Sequence, residues 1–179
     1  MTKTIALLVP DPDYGERWEP HVAQLTALLE GALPVRVVVR CWRDDPAALR
    51  DADLILPLFA WGYQHFVGQW YALLDWLEAE GLRVDNSPAL MRWNTDKSYL
   101  KDLAARGVPI VETLWSETLN DADLAKAWAQ FGQDGLLVKP PVSGGSYGTY
   151  VLHPGDPIPA DVRAKRMMVQ PLLDAVHDE

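Results

Sequence analysis

The sequence predicts an α/β fold, and three observations carry that reading. Segments patterned as buried strands alternate with segments patterned as helices, the order that builds a parallel sheet with helices on its faces. Thr4 to Pro10 is an unbroken run of aliphatic and β-branched residues without polar alternation, as in a strand covered on both sides. The positions that follow switch period. Trp18, Val22, Leu25, Leu28 and Leu29 fall on one helical stripe between Glu16 and Glu30, with Gly31 positioned as the C-terminal cap.

The same two signals recur along the first half. Val35 to Trp42 repeats the strand pattern, Pro46 to Arg50 allows a short helix, and Leu54 to Ala60 gives a third apolar strand. Phe66, Trp70, Leu73, Leu74 and Leu77 return to helical spacing up to Gly81, and Leu82 to Val84 is short enough for an edge strand. The β-α-β-α-β-α-β order makes residues 1–86 a Rossmann-like unit.

A second region, 87–179, opens at Ser87-Pro88. Asn94 or Thr95 is placed to cap a helix from Asp96 to Arg106, with the stripe Tyr99, Leu100 and Leu103 and a stop at Gly107. Val108 to Val111 is strand-like. Leu119, Asn120, Asp123 and Leu124 have the layout of a hydrophobic staple around an N-cap, starting a helix that buries Leu124, Ala127, Trp128 and Phe131 and ends at Gly132. Leu136 to Lys139 and Thr149 to Leu152 pair as strands across a long glycine-bearing connection, and Met167 to Gln170 is a short apolar strand.

Composition narrows the function classes. A length of 179 residues suits one domain or two small ones, and 49% apolar with 23% charged residues is a globular balance. Sixteen Lys and Arg against 25 Asp and Glu leave a formal charge of −9, which repels phosphate backbones and anionic lipid, so no nucleic-acid or membrane partner is expected. The lone Cys41 has no disulfide or zinc partner, which fits a reducing compartment. The apolar run Ile5 to Val9 is too short for a signal sequence or a membrane span, and a cytoplasmic protein is expected. The eight tryptophans are scattered, mostly on helical apolar faces, as core packing requires.

The run from Val138 to Leu152 carries the most chemistry. Lys139 ends a strand and is followed by Ser143, Gly144, Gly145, Ser146 and Gly148, so a fixed positive charge precedes backbone that can approach an anion closely. It is not a Walker A loop, because the lysine precedes the glycines. Read alone, it also fits an ordinary hairpin with a solvated lysine at its edge. Lys97, in the first turn of the expected helix, is opposed by the helix dipole unless an anion compensates. Downstream, Gln170 runs into Pro171-Leu172-Leu173, a non-helical segment whose backbone groups suit a purine edge.

Together, Asn94-Thr95-Asp96-Lys97-Ser98-Tyr99-Leu100, the Val-Lys-Pro to Gly-Gly-Ser-Tyr-Gly run, and Met168-Val169-Gln170-Pro171-Leu172-Leu173 resemble the ATP-grasp superfamily, in particular its glutathione-synthetase-like carboxylate ligases. The resemblance covers nearly the whole chain. It implies a Rossmann-like pre-ATP-grasp domain (1–86) followed by the small α+β subdomain of an ATP-grasp fold (87–179). It implies ATP as cofactor, with Lys97 and Lys139 at the α- and β-phosphates, Ser143 to Gly148 closing over the γ-phosphate, and Gln170, Pro171 and Leu172 as the hinge reading adenine. In such ligases a substrate carboxylate is phosphorylated and an amine or similar nucleophile attacks the acylphosphate.

The family's third region, with an acidic residue for the ribose and Mg²⁺-binding carboxylates, has no counterpart before the last residues. Only Asp174, Asp178 and Glu179 follow Gln170 as acids, and a terminal tail makes a poor metal cage. The expectation is an N-terminal portion of a longer enzyme, inactive alone and lacking the C-terminal catalytic part. Asp178 or Glu179 is then a candidate for the ribose, and the Mg²⁺ ligands lie beyond the chain.

The partner expected is a small-molecule carboxylate substrate, for which Tyr63 and His65, after the third strand at the carboxyl edge of the sheet, are the candidates. Local packing of Tyr63 and a helix start at His65 explain the same residues. Asp11, Asp13, Tyr14 and Glu16 follow the first strand and suit an amino group, or simply an acidic helix start. His21, His153 and His177 have no clustered metal partners. A homo-oligomer is compatible with the sequence. Two other readings stay open: a non-catalytic nucleotide-binding or regulatory module, and a Rossmann-like interaction domain whose glycine loop is structural.

Overall fold

The computed structural model describes residues 2–15, 17–132 and 134–173. The chain divides into two compact units, Met1–Thr95 and Asp96–Glu179. Each has its own sheet, and the fold is mixed α/β.

In the first unit, β1 (Lys3–Val9), β2 (Val35–Cys41) and β3 (Leu54–Leu56) form a parallel sheet in the order β2-β1-β3. β1 is central, so its alternate side chains feed two cores. Ala6 and Leu8 pack with Trp70, Leu74 and Leu77 of α2 (Val67–Ala79). Ile5, Leu7 and Val9 pack with Val22 of α1 (Glu19–Ala32). The chain passes from β1 to one neighbour and then across to the other, which makes the carboxyl edge beside β1 a topological switch point.

Several expectations for this unit are corrected. Gly31 lies inside α1, and the helix stops at Leu33, before Pro34. Leu28 is 61% exposed and is not part of the buried stripe. β3 ends at Leu56 because Pro57 has no N–H for a ladder. Leu82 to Val84 contributes only a parallel bridge between Ile55 and Val84. Pro88–Thr95 is a helix, α3, that the sequence reading missed; Arg92 pairs with Asp75, and the Trp70 indole donates to Thr95 Oγ1 at 2.9 Å. These contacts place α3 with the first unit, whereas the sequence division falls at 86/87.

The second unit begins with the turn Asp96–Lys97–Ser98, and α4 is Tyr99–Ala105. The expected helix from Asp96 to Arg106 is therefore broken at its start, because Thr95 Oγ1 donates back to Met91 O and closes α3 there. Val108 to Val111 is not a strand, since Pro109 lacks a donor and Val108 and Val111 are exposed. The strand lies further on, β4 (Leu114–Ser116).

α5 (Asp121–Phe131) is capped as expected by Asn120, whose side chain accepts the N–H groups of Ala122 and Asp123. β5 (Leu136–Lys139), β6 (Tyr150–Leu152) and β7 (Met167–Pro171) complete an antiparallel sheet ordered β4-β7-β5-β6. Leu136, Val138, Met167 and Val169 pack with Leu124 and Ala127 of α5. Strand alternation puts Leu137, Lys139, Met168 and Gln170 on the other face. No helix of the described residues is long and apolar enough to cross a membrane.

Candidate functional site

The second unit brings Lys97 and Lys139 into electrostatic reach of each other. Lys139 sits at the end of β5 opposite Met168, half-buried, and burial lowers the pKa of its ammonium. Lys97 lies in the turn before α4, not in the first helical turn, so its position is not explained by opposition to a dipole. Its N–H donates to Pro141 O at 2.9 Å and its Nζ to Ser143 O at 2.7 Å. Burial first, and then the Lys139 ammonium, lower its pKa, while Asp96 acts the other way. Two half-buried like charges held together favour a multivalent anion between them.

The glycine-bearing connection braces itself above this pair. The Ser143 hydroxyl donates to Tyr147 O at 2.7 Å, Tyr147 N–H to Gly144 O, and Thr149 N–H to Ser146 O. Gly145 and Ser146 both have left-handed backbone, at φ +56° and +59°. Gly148 is needed twice over: its φ is +66°, and a Cβ there would meet the Pro140 ring at 3.2 Å. Lys97 thus grips the loop through the carbonyl of Ser143.

The expected hinge is partly committed within the fold. Gln170 is buried and its Nε2 donates to Thr113 Oγ1 at 2.8 Å. Leu172 N–H donates to Gly135 O at 3.0 Å, so this donor is not open to a purine edge, a correction to the sequence reading. Pro171 has no N–H to offer. Gly135 permits the approach, since a Cβ there would lie 2.8 Å from Leu172 Cδ2. Asp174, His177, Asp178, Glu179 and Glu16, given roles or weighed above, lie outside the described residues.

In the first unit the two substrate candidates line different cavities. Tyr63 stacks on Trp70 at 5.5 Å between centroids and lines a cavity of about 250 Å³ with Trp61, Asp85 and Asn94. His65 lines one of about 590 Å³ at the switch point, with Asp11, Asp13, Tyr14 and Arg43. The Arg43 guanidinium lies 3.7 Å over the Phe66 ring, pairs with Asp11, and donates from Nε to Gln69. Sequence reasoning missed Arg43; its place just after the second strand, at the carboxyl edge, was the available signal. Asp11, Asp13 and Tyr14, weighed for an amino group, do share one pocket. Among the described residues no group of three His, Cys, Asp or Glu side chains is arranged to hold a metal ion.

No family model and no curated protein matches the sequence. Solved structures do match its fold. The D-cycloserine synthetase DcsG aligns at TM-score 0.78 and 19% identity over 98% of this chain and 61% of that one. A RimK domain ATP-grasp protein from Sphaerobacter thermophilus aligns at 0.67 and 19% over 95% and 64%. D-alanyl-alanine synthetase A from Vibrio cholerae aligns at 0.70 and 16% over 96% and 60%. The chain spans about three fifths of the length of these proteins, and over that span it shares their α/β fold.

Proposed function

We propose that this chain, with a fold shared with ATP-grasp proteins, binds ATP through its second unit and forms part of an ATP-dependent ligase that acts on a small-molecule carboxylate. The observation that carries the reading is the pair of half-buried ammonium groups, Lys97 and Lys139, both made less basic by burial and Lys97 further by Lys139, with Lys97 Nζ bonded to the Ser143 carbonyl of the glycine-bearing loop. ATP, when bound, supplies the phosphoryl group that converts a carboxylate to an acylphosphate open to attack by an amine or similar nucleophile.

The chain's own groups do the binding and placing. Lys97 and Lys139 neutralise phosphate charge, and Lys97 exchanges the Ser143 carbonyl for a phosphate oxygen. The segment 143–148 presents glycine backbone to the terminal phosphate. Gln170, Pro171 and Leu172 form one wall for the adenine; the buried Gln170 amide is locked by Thr113, which fixes that wall. Asp96 beside Lys97 favours its charged form. In the first unit the pocket of His65, Asp11, Asp13 and Arg43 accepts the substrate, with Arg43 suited to a carboxylate and the aspartates to an amino group. Tyr63 lines the neighbouring aromatic cavity for an apolar part.

Calorimetric titration with a slowly hydrolysed ATP analogue, with and without Mg²⁺, tests the reading. The chain should bind, and Lys139→Ala should lose roughly 1–3 kcal/mol of binding, the scale of a charge-assisted contact. Absence of binding heat, or identical binding by the variant, contradicts it.

A further inference from the structure

The turn that carries Lys97 is itself held by an ion pair. Asp96 uses both carboxylate oxygens: Oδ1 accepts the Ser98 N–H at 2.8 Å, and Oδ2 accepts Arg166 Nη1 at 2.5 Å. Arg166 Nε also reaches Glu117 Oε2 at 3.4 Å. Burial pushes the Asp96 carboxyl up, but Arg166 and the Ser98 groups outweigh it and hold the carboxyl below its usual range, so the pair is ionised at neutral pH. Arg166 stands immediately before β7, the strand that ends in Gln170 and Pro171. One guanidinium therefore fastens the lysine turn to the strand leading to the hinge.

The turn also runs into α4 through backbone bonds from Tyr99, Leu100 and Lys101 to the carbonyls of Asp96, Lys97 and Ser98, and it meets the glycine-bearing segment through the Lys97 N–H to Pro141 O and the Lys97 Nζ to Ser143 O. The Nζ bond to Ser143 ends when the ammonium takes a ligand, after which the Pro141 contact and the Asp96–Arg166 pair tie the turn, with α4, to the strands of the sheet. The forces on the turn oppose that placement. Lys139 repels the Lys97 ammonium, and burial denies it water, so an unfastened turn relaxes outward.

We propose that Asp96 and Arg166 are positioning residues of the nucleotide site, their ion pair holding the Lys97 ammonium beside that of Lys139 for a polyphosphate. This rests on the nucleotide reading above, and its test separates the two. The full chain and Arg166→Met, which keeps the aliphatic stem, are treated with a lysine-acylating reagent and mapped by mass spectrometry. Lys126, whose side chain is 72% exposed, serves as the internal reference. Relative to Lys126, Lys97 should acylate several-fold faster in Arg166→Met and in Asp96→Asn, with Arg166→Lys restoring part of the protection.

In parallel, Arg166→Met should bind a slowly hydrolysed ATP analogue about tenfold more weakly while adenosine affinity stays unchanged, because only the phosphate end loses its fixed charge. Unchanged Lys97 acylation in a natively melting variant overturns the proposal, as does an equal loss for adenosine and the ATP analogue. If Arg166→Met fails to fold, Asp96→Asn carries the same readouts. Failure of the unaltered chain to bind the analogue, with the acylation result intact, overturns the nucleotide reading and leaves the ion pair's hold on Lys97 established.

Discussion

Replacing Lys139 by methionine sets stability against binding. Methionine keeps most of the stem that packs at the end of β5, and no hydrogen bond or ion pair of the Lys139 ammonium is lost among the described residues. What disappears is a half-buried charge that burial already disfavours and that lowers the proton affinity of Lys97. Two like charges a few ångströms apart cost on the order of 1 kcal/mol even in bulk water, which sets the lower end for this half-buried pair. For a chain of this size that corresponds to a rise of roughly 2–4 °C in the thermal midpoint. The bound state moves the other way. A charge-assisted bond to phosphate contributes about 1.5–3 kcal/mol, so affinity for an ATP analogue should fall by roughly 10- to 150-fold. Differential scanning fluorimetry and calorimetric titration on the same samples read both effects. A variant that melts lower and binds the analogue as well as the unaltered chain would refute the reasoning, because Lys139 would then be a structural residue with no ligand to meet.

Two further outcomes follow from the same geometry. The folded-state pKa values of Lys97 and Lys139 lie below the ordinary lysine value, so between the two values the unfolded chain holds more protons and these lysines make stability rise with pH. Nucleotide affinity should fall across that same alkaline window as the ammonium charge is lost, and binding there should take up protons, read as a dependence of the titration heat on the ionisation enthalpy of the buffer; a buffer-independent heat would contradict this. Gly135→Ala places a Cβ 2.8 Å from Leu172 Cδ2 and 3.1 Å from its Cβ, and the second contact cannot be relieved by a rotamer change. Overpacking of this kind costs about 1–3 kcal/mol, and the displaced Leu172 should weaken adenosine binding, measured beside the thermal midpoint; full adenosine affinity would remove Leu172 from the adenine wall.

What the sequence made legible was local. β1 reads as a buried strand because each of its faces meets a core, which leaves Ile5 to Val9 apolar without alternation, and α5 because Asn120 and Gly132 mark its ends chemically. β5 keeps its expected bounds, Leu136–Lys139, since Gly135 and Pro140 stop it on either side. The errors lie where distant contacts override local signals. Asn94 and Thr95 have the chemistry of a helix cap, yet Thr95 is the last residue of α3, its hydroxyl engaged by Met91 O within the helix and by the Trp70 indole from α2. Val108 and Val111 have strand propensity, yet the register of β7 selects Leu114–Ser116 instead. In the site, Lys97 and Lys139 were visible through their flanking motifs. Arg43 and Arg166 were not, because an arginine's role is set by which acid it meets, and the partner of Arg166 lies 70 positions away.

The account stands on where two ammonium groups go when a nucleotide arrives. A crystal structure of the chain with a slowly hydrolysed ATP analogue tests that most directly. Lys97 Nζ should have left the Ser143 carbonyl, and it and Lys139 Nζ should each lie about 2.7–2.9 Å from phosphate oxygens of one molecule. Analogue bound elsewhere, or either ammonium turned to solvent with the analogue in place, would contradict the account.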